Sequence, residues 1–317
     1  VRVKFWGVCG SIPSPCPSSD IKTKIRNALI KATPANIENE ETIDSFLGAL
    51  PHSEVGTYKG NTSCVQVEPD GGDVLVFDAG SGIRRMSGDL LRGPCGKGMG
   101  EINLFLSHMH WDHLQGFPFF VPIFIPGNKI NIFGVIPDLA EKFKLQMSAP
   151  YFPVLFEYLP ATFNFVELAE GQEVTLNGGT VIKTEKLYHP QDSHAFSVEQ
   201  NGKKVVYMTD SEFNLNNMQL IQNAVEFSKD ADVLIFDCQY TFSDTISKMT
   251  WGHSSVFTGI DIATSANVKR MYLFHHEPGY EDAKVDQVIE EGIRYRNATG
   301  NKDLVICGSY DGLEYEF

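Results

Sequence analysis

The chain has 317 residues, 42% of them apolar, enough for a substantial core in one large domain or two average ones. Its formal charge of −14, from 26 basic and 40 acidic residues, argues against a long polyanion as a partner, so no long nucleic acid is expected. No apolar run approaches bilayer length: the most apolar stretch, Gly116 to Gly127, is broken by Pro118, Pro122 and Pro126, and no membrane association is expected.

The first residues, Val1-Arg-Val-Lys-Phe-Trp6, alternate like a strand and carry no charged-then-apolar leader pattern, which points to a cytoplasmic protein. Cys9, Cys16, Cys64, Cys95, Cys238 and Cys307 are scattered, with no C-x-x-C pair, and read as reduced thiols. The sequons at Asn61 and Asn297 are then chance matches. Short apolar strands are predicted at Val1 to Gly7, Ser63 to Glu68, Val74 to Phe77 and Ile102 to Leu106, between Gly- and Pro-rich turns.

Between the first two strands, Ile21, Ile25, Leu29 and then Ile43, Phe46, Leu47 and Leu50 fall at helical spacing. The spacing predicts a helical insertion over 19–53, serving either as packing or as a lid. Gly116 to Phe165 reads as Pro- and Phe-rich loops around a strand, Lys129 to Phe133, and a helix, Leu139 to Met147. Trp111, Phe117, Phe119, Phe120, Tyr151, Phe152 and Phe156 read mainly as core, the alternative being a pocket lining that stacks a base or encloses a quaternary amine.

Strands follow at Val174 to Leu176, Thr180 to Tyr188, Ala195 to Gln200 and Lys204 to Met208, the last two joined by the hairpin signal Asn201-Gly202. A helix over Asn216 to Phe227, a strand over Val233 to Asp237 and a helix over Ser255 to Ala266 come next. Strand Arg270 to Phe274, helix Asp282 to Arg296 and strand Leu304 to Cys307 complete the chain. With no internal repeat and no linker, 1–317 reads as one domain built on two packed sheets with helices outside.

The segment richest in chemistry is Ser107-His108-Met-His110-Trp-Asp112-His113, directly after the strand Ile102 to Leu106. Alternate residues past a strand point the same way, so His108 and His110 can share one ion, while the following turn swings Asp112 and His113 toward a second. Imidazole and carboxylate suit zinc, manganese or iron.

This H-x-H-x-D-H run resembles the signature of the metallo-β-lactamase superfamily. The resemblance implies an α/β (α+β) fold, the four-layered αβ/βα sandwich, with the site at one edge between the sheets. It also implies further ligands at strand ends, and His189, Asp210 and His275 stand at such ends. By resemblance, His108, His110 and His189 hold one divalent ion, Asp112, His113 and His275 a second, and Asp210 bridges them; zinc is the first choice of metal. His276 is a rival to His275, since His275-His276-Glu277-Pro278 offers two imidazoles. Phe77-Asp78-Ala79-Gly80-Ser81-Gly82 resembles the family's first motif, with Asp78 orienting the ligand loop through hydrogen bonds. Asn61, in Gly60-Asn61-Thr62-Ser63, and His276 are candidate pocket residues.

Gly252-His253-Ser254-Ser255 resembles the His-Ser-Thr-type element of the superfamily's phosphodiesterases, which include tRNA 3′-processing nucleases and cyclic-phosphate diesterases. The resemblance makes His253 the proton donor to the leaving oxygen, because an alkoxide leaves poorly, and places Asp112 with it among the catalytic residues. The expected activity is hydrolysis of a small phosphodiester by a metal-bridging hydroxide, the substrate being a cyclic nucleotide, a cyclic ribose phosphate or a head-group diester. The alternative is a carboxyl-ester, thioester or lactone hydrolase of the same fold, which would not require His253. A homo-oligomer is compatible with the sequence.

Overall fold

The structure is a computed structural model that describes residues 1–213 and 217–317. In chain order its strands are β1 (Arg2–Gly7), β2 (Cys64–Glu68), β3 (Leu75–Phe77), β4 (Glu101–Leu106), β5 (Lys129–Gly134), β6 (Thr162–Glu167) and β7 (Glu173–Thr175). Then come β8 (Val181–Leu187), β9 (Ser193–Gln200), β10 (Lys203–Met208), β11 (Val233–Asp237), β12 (Arg270–Phe274), β13 (Val305–Gly308) and β14 (Glu314–Glu316). The helices are α1 (Ser18–Lys31), α2 (Glu40–Ala49), α3 (His52–Val55), α4 (Ile83–Leu90), α5 (Leu139–Leu145), α6 (Met218–Ser228), α7 (Phe242–Ser247), α8 (Val256–Ser265) and α9 (Asp282–Thr299).

The strands form two seven-stranded sheets, ordered β14-β1-β2-β3-β4-β5-β6 and β13-β12-β11-β10-β9-β8-β7. In each, one half is parallel: β3 through β6 in the first sheet and β10 through β13 in the second. Parallel strands are buried on both faces, and period-two alternation then sends successive side chains to different cores. Phe77, Phe105, Tyr207, Ile235 and Phe274 enter the core between the sheets. Their neighbours face outward: Val76, Leu104 and Leu106 pack on α4 and α5, whereas Met208, Phe236 and Leu273 pack on α6, α8 and α9. The layer order is therefore αβ/βα, as the resemblance implied.

The carboxyl ends of both parallel halves lie at one edge of the sandwich, the position where α/β sheets assemble sites. Most predicted elements match within one or two residues. The first residue of the helix predicted from Asn216 lies outside the described residues, and α6 runs from Met218. The structure adds α4, β6, α7 and β14. β6, Thr-Phe-Asn-Phe-Val-Glu, follows closely on Pro150, Pro153 and Pro160, which obscured its alternation, and the three-residue β14 is too short to carry a pattern.

The inserted segment folds as α1, α2 and α3, and none of these helices contains a buried residue. Lys24 pins it: its Nζ donates to the carbonyls of Ser53 (2.5 Å) and Gly56 (2.7 Å) and to Asp282 Oδ2 at the start of α9 (2.5 Å). Lys24→Met removes the cation from a largely buried pair, a loss of about 2 kcal/mol or more. Because the insertion contributes nothing to the three cores, the loss is expected as local opening. Limited proteolysis within 18–55 should accelerate about tenfold or more, while the main thermal transition barely moves.

Candidate metal centre

Each candidate ligand, like the orienting residue Asp78, stands where a strand stops. Asp78 follows β3, His108 to His113 follow β4, His189 follows β8, Asp210 follows β10 and His275 follows β12. Asp78, Asp210 and His275 adopt left-handed backbone conformations, with φ of 61°, 40° and 61°. Residues other than glycine avoid that region, and strain of this kind concentrates where a side chain must be re-aimed for function.

Two groups of ligand atoms result, each within 4.8 Å of one another: His108, His110 and His189, and Asp112, His113, Asp210 and His275. Asp210 faces both. Its Oδ2 lies 3.7 Å from the Nε2 atoms of His108 and His189, and its Oδ1 lies 3.3 Å from His113 Nε2 and 3.2 Å from His275 Nε2. Asp112 Oδ2 closes the second group, 3.3 Å from His113 Nε2 and 3.2 Å from His275 Nε2.

The opposite ring nitrogens are tied down by protein acceptors. His113 Nδ1 donates to Asp78 Oδ2 (2.7 Å), His189 Nδ1 to the Gly252 carbonyl (2.8 Å) and His275 Nδ1 to Gln239 Oε1 (3.0 Å). These contacts turn Nε2 of each ring inward, the arrangement metal-ligating histidines adopt; in the bare protein burial of His113 is outweighed by Asp210, Asp112 and Asp78, which raise its pKa well above the ordinary value, so a cation would take the place of its proton. Gly252 is required for the second of these contacts, because a Cβ there would stand 2.3 Å from His189 Nδ1. Asp78, fully buried, also accepts from the Ser107 amide (2.8 Å), the Ser107 hydroxyl (2.7 Å) and the Tyr207 hydroxyl (2.7 Å), so it clamps the ligand loop to both sheets.

A metal ion fits this donor set. His108 Nε2 and His113 Nε2 are buried with no hydrogen-bond partner, which is unfavourable unless a cation completes them. The electrostatics of the bare protein point the same way. Burial opposes the charge of both Asp112 and Asp210, but the surrounding imidazoles hold both carboxylates ionised, well below their usual range. Burial and the neighbouring His113 push His108 down, so it is neutral and able to ligate.

Of the two adjacent histidines, His275 faces the cluster. His276 turns away and donates from Nε2 to the Ser309 carbonyl (2.8 Å), and burial lowers its pKa to about 4. Asn61 is committed as well: its amide N–H and Nδ2 both donate to Asp311 Oδ2 (3.0 and 2.7 Å), and its Oδ1 accepts from the Ser81 hydroxyl (3.0 Å). His253 lies against the cluster, stacked on His275 with ring centroids 5.0 Å apart, and a ring nitrogen lies within 4.8 Å of ligand atoms of His189 and Asp210. Its Nδ1 donates to Asp237 Oδ2 at 2.9 Å. Burial disfavours its charge, but Asp237 outweighs that and raises its pKa to about 9.

Asp237 and Gln239 are the functional residues that sequence reasoning passed over. Asp237 ends β11, whose other residues are apolar, and a polar residue closing an apolar parallel strand is the signal that also marks Asp210 and His275. The expected aromatic cluster divides: Phe117, Phe120 and Phe156 are core, whereas Trp111, Phe119 and Tyr151 are exposed. All six cysteines are free, and no helix among the described residues is long and apolar enough to cross a membrane.

A histidine and aspartate cluster at the carboxyl edge of an αβ/βα sandwich defines a hydrolase of the metallo-β-lactamase fold. Residues 74–276 match the family described as beta-lactamase superfamily domain, and the chain belongs to that superfamily. A Ribonuclease Z of Crocosphaera subtropica is 25% identical over 306 residues, covering 78% of this chain and 91% of the relative. Human tRNase Z, short form, superposes with a TM-score of 0.59 at 18% identity, over all of this chain and 99% of the other. Unliganded yeast PDE1 superposes with a TM-score of 0.65 at 13% identity, over 99% and 98%.

These relatives correct one expectation. A similar chain matched over nine-tenths of its length carries a ribonuclease name, so the net charge of −14 does not exclude long nucleic acid. The physical reason is that the sum runs over the whole chain, whereas a polyanion responds to charge within about 10 Å of its path.

Two outcomes are expected here. Asp78→Asn removes an acceptor shared by four donors and should weaken metal binding about 10- to 100-fold, read by competition with a chromogenic chelator. Burial raises the Asp311 carboxyl to about 6, and its Oδ1 has no partner. A folded-state pKa above the unfolded value means that this group's contribution is present in acid and lost as pH rises from about 4 to 6. Asp311→Asn should erase that slope in the difference between the two Tm-versus-pH curves.

Proposed function

We propose that the chain is a dinuclear metal-dependent phosphodiesterase. The observation that carries the reading is the pairing of His253 with the fully buried Asp237, which supports a cationic imidazole at the edge of the metal cluster. Hydrolysis of a carboxyl ester, thioester or lactone has no need of a dedicated donor for an alkoxide leaving group, whereas phosphodiester cleavage gains from one.

On this reading His108, His110 and His189 hold one divalent ion, and Asp112, His113 and His275 hold the other, with Asp210 shared between them. Zinc is the first expectation, and manganese or iron suits the same donors. When bound, the pair supplies Lewis acidity toward the phosphate oxygens and lowers the pKa of water.

The chain's own groups do the rest. Asp237 Oδ2 fixes the His253 ring through Nδ1 and leaves Nε2 as the proton-bearing atom for the leaving oxygen. Asp112, held by the Ser11 amide at 2.7 Å, keeps a negative charge beside His275 and His113. Asp78 and Gln239 aim the imidazoles, so the donor set is preorganised before substrate arrives. Small diesters such as cyclic nucleotides, cyclic ribose phosphates and head-group diesters suit this chemistry, and so does a diester within RNA.

The test compares metal-reconstituted wild type, His253→Ala and Asp237→Asn on a dinucleoside phosphate, bis(p-nitrophenyl) phosphate, p-nitrophenyl acetate and a lactone. Diesters should be preferred. His253→Ala should lose about two orders of magnitude in kcat on the dinucleoside phosphate, and less on bis(p-nitrophenyl) phosphate, whose phenolate departs unaided. Asp237→Asn should follow in the same order. Preferential ester or lactone cleavage, indifferent to His253, would overturn the reading in favour of a carboxyl-ester, thioester or lactone hydrolase.

A further inference from the structure

A cavity of about 380 Å³ lies beside the metal cluster, with His108 and His110 in its wall. That is the size of a small-ligand pocket. Among the described residues its wall includes neither His253 nor the group of Asp112, His113 and His275, so it flanks the cluster on a different side from the proton donor. With the leaving oxygen served by His253, this cavity falls to the part of the substrate that stays on phosphorus.

Two groups of the wall are uncommitted. His194, on β9, is buried and belongs to neither ligand group, and its Nε2 has no hydrogen-bond partner among the described residues. A buried polar atom left in that state costs stability unless a bound group completes it. Lys142, exposed on α5, donates from Nζ to the Pro137 carbonyl at 2.6 Å, and both residues line the cavity. Among the described residues no carboxylate lies within 4.0 Å of that ammonium group. The Asp192 carboxylate in the same wall is already matched by Lys186 at 3.2 Å. The local balance is therefore positive, whatever the sum over the chain.

The wall is also tied to the ligands. Gln191 and Asp192 both adopt left-handed backbone conformations, with φ of 69° and 65°, and strain of this kind concentrates at functional sites. The turn sets Gln191 Oε1 3.1 Å from His110 Nε2, while the other ring nitrogen, Nδ1, lies 3.2 Å from His189 Nε2 in the cluster. Met109, Val135 and Ile136 supply apolar surface for the body of a ligand.

We propose that this cavity is a subsite for the retained part of the substrate, in which Lys142 and His194 bind a second, non-scissile phosphate. The substrate class is then a phosphodiester that carries a phosphate monoester on the group that stays on phosphorus. The inference rests on the phosphodiesterase reading and narrows it. A phosphate monoester brings about −1.5 to −2 charges near neutral pH and three acceptor oxygens, enough to take the ammonium group and an imidazole N–H together.

The experiment uses the metal-reconstituted full chain and two esters with one leaving group, thymidine 5′-(p-nitrophenyl phosphate) and its 3′-phosphorylated form. p-Nitrophenolate departs unaided, so the comparison does not depend on His253. The 3′-phosphate should lower KM about tenfold or more at similar kcat, the mark of charge-assisted bonds made equally in ground and transition states. Lys142→Met should remove most of that advantage, and Lys142→Arg should keep most of it. His194→Phe, which retains a ring, should also reduce it. Calorimetric binding of thymidine 3′,5′-bisphosphate against thymidine 5′-monophosphate should show the same contrast without turnover.

Equal KM for the two esters with equal affinity for the two products, or a preference indifferent to Lys142→Met, would overturn the subsite. Cleavage of both esters without preference sinks the subsite alone. A Lys142-dependent preference for the bisphosphate without turnover of either ester supports the subsite and sinks the phosphodiesterase reading.

Discussion

The Asp210 carboxylate sits almost wholly buried, with Oδ2 directed at His108 and His189 and Oδ1 directed at His113 and His275. A buried anion survives only among compensating charges and donors, so its position dictates what must surround it. Its partners come from the ends of β4, β8 and β12, that is, from both sheets. They reach one point only because the two sheets pack face to face through the central core of Phe77, Phe105, Tyr207 and Phe274. Tyr207 joins the two levels of organisation. Its ring belongs to the inter-sheet core and its hydroxyl donates to Asp78, which in turn holds His113.

Much of this was readable from residue order. The apolar strands, the ligand run after β4 and the polar residues closing β8, β10 and β12 leave a local trace, because a strand that ends in His or Asp interrupts an otherwise apolar pattern. Asp237 closes β11 in the same manner, yet its partner His253 lies 16 residues away in a different loop, and no local pattern announces the pair. The choice between His275 and His276 was equally non-local. It depends on Gln239 and the Ser309 carbonyl, acceptors that the fold brings in from other strand ends. β6 and α7 were hidden for a different reason: preceding prolines mask the first, and the second is a short surface helix with no buried residue.

Charge shows the same divide between sum and arrangement. The whole-chain excess of acid was a poor guide to partners because it says nothing about where the charges lie. Within the site, Asp78, Asp112, Asp210 and Asp237 cluster around five candidate ligand imidazoles and His253, so much of the local negative charge is already matched to histidines and to the metal they could hold. Acidity concentrated there belongs to the candidate metal centre and is not a barrier to an anionic substrate.

Two electrostatic demands meet in a space of a few ångströms. The ligating imidazoles must be neutral to bind a cation, whereas a proton donor must be charged. Burial alone drives every imidazole toward the neutral form, as it does for His108, His189 and His276. Carboxylates outweigh burial at two imidazoles, His113 beside Asp210, Asp112 and Asp78 and His253 beside Asp237, but only His253 has a partner anchored independently of the cluster, by the amides of Ser211 (3.1 Å) and Gln239 (3.0 Å). Since Gln239 also orients His275, one short segment after β11 sets the donor's charge and a ligand's tautomer together. Displacing that segment would therefore disturb both functions together, even though neither Asp237 nor Gln239 belongs to the ligand set.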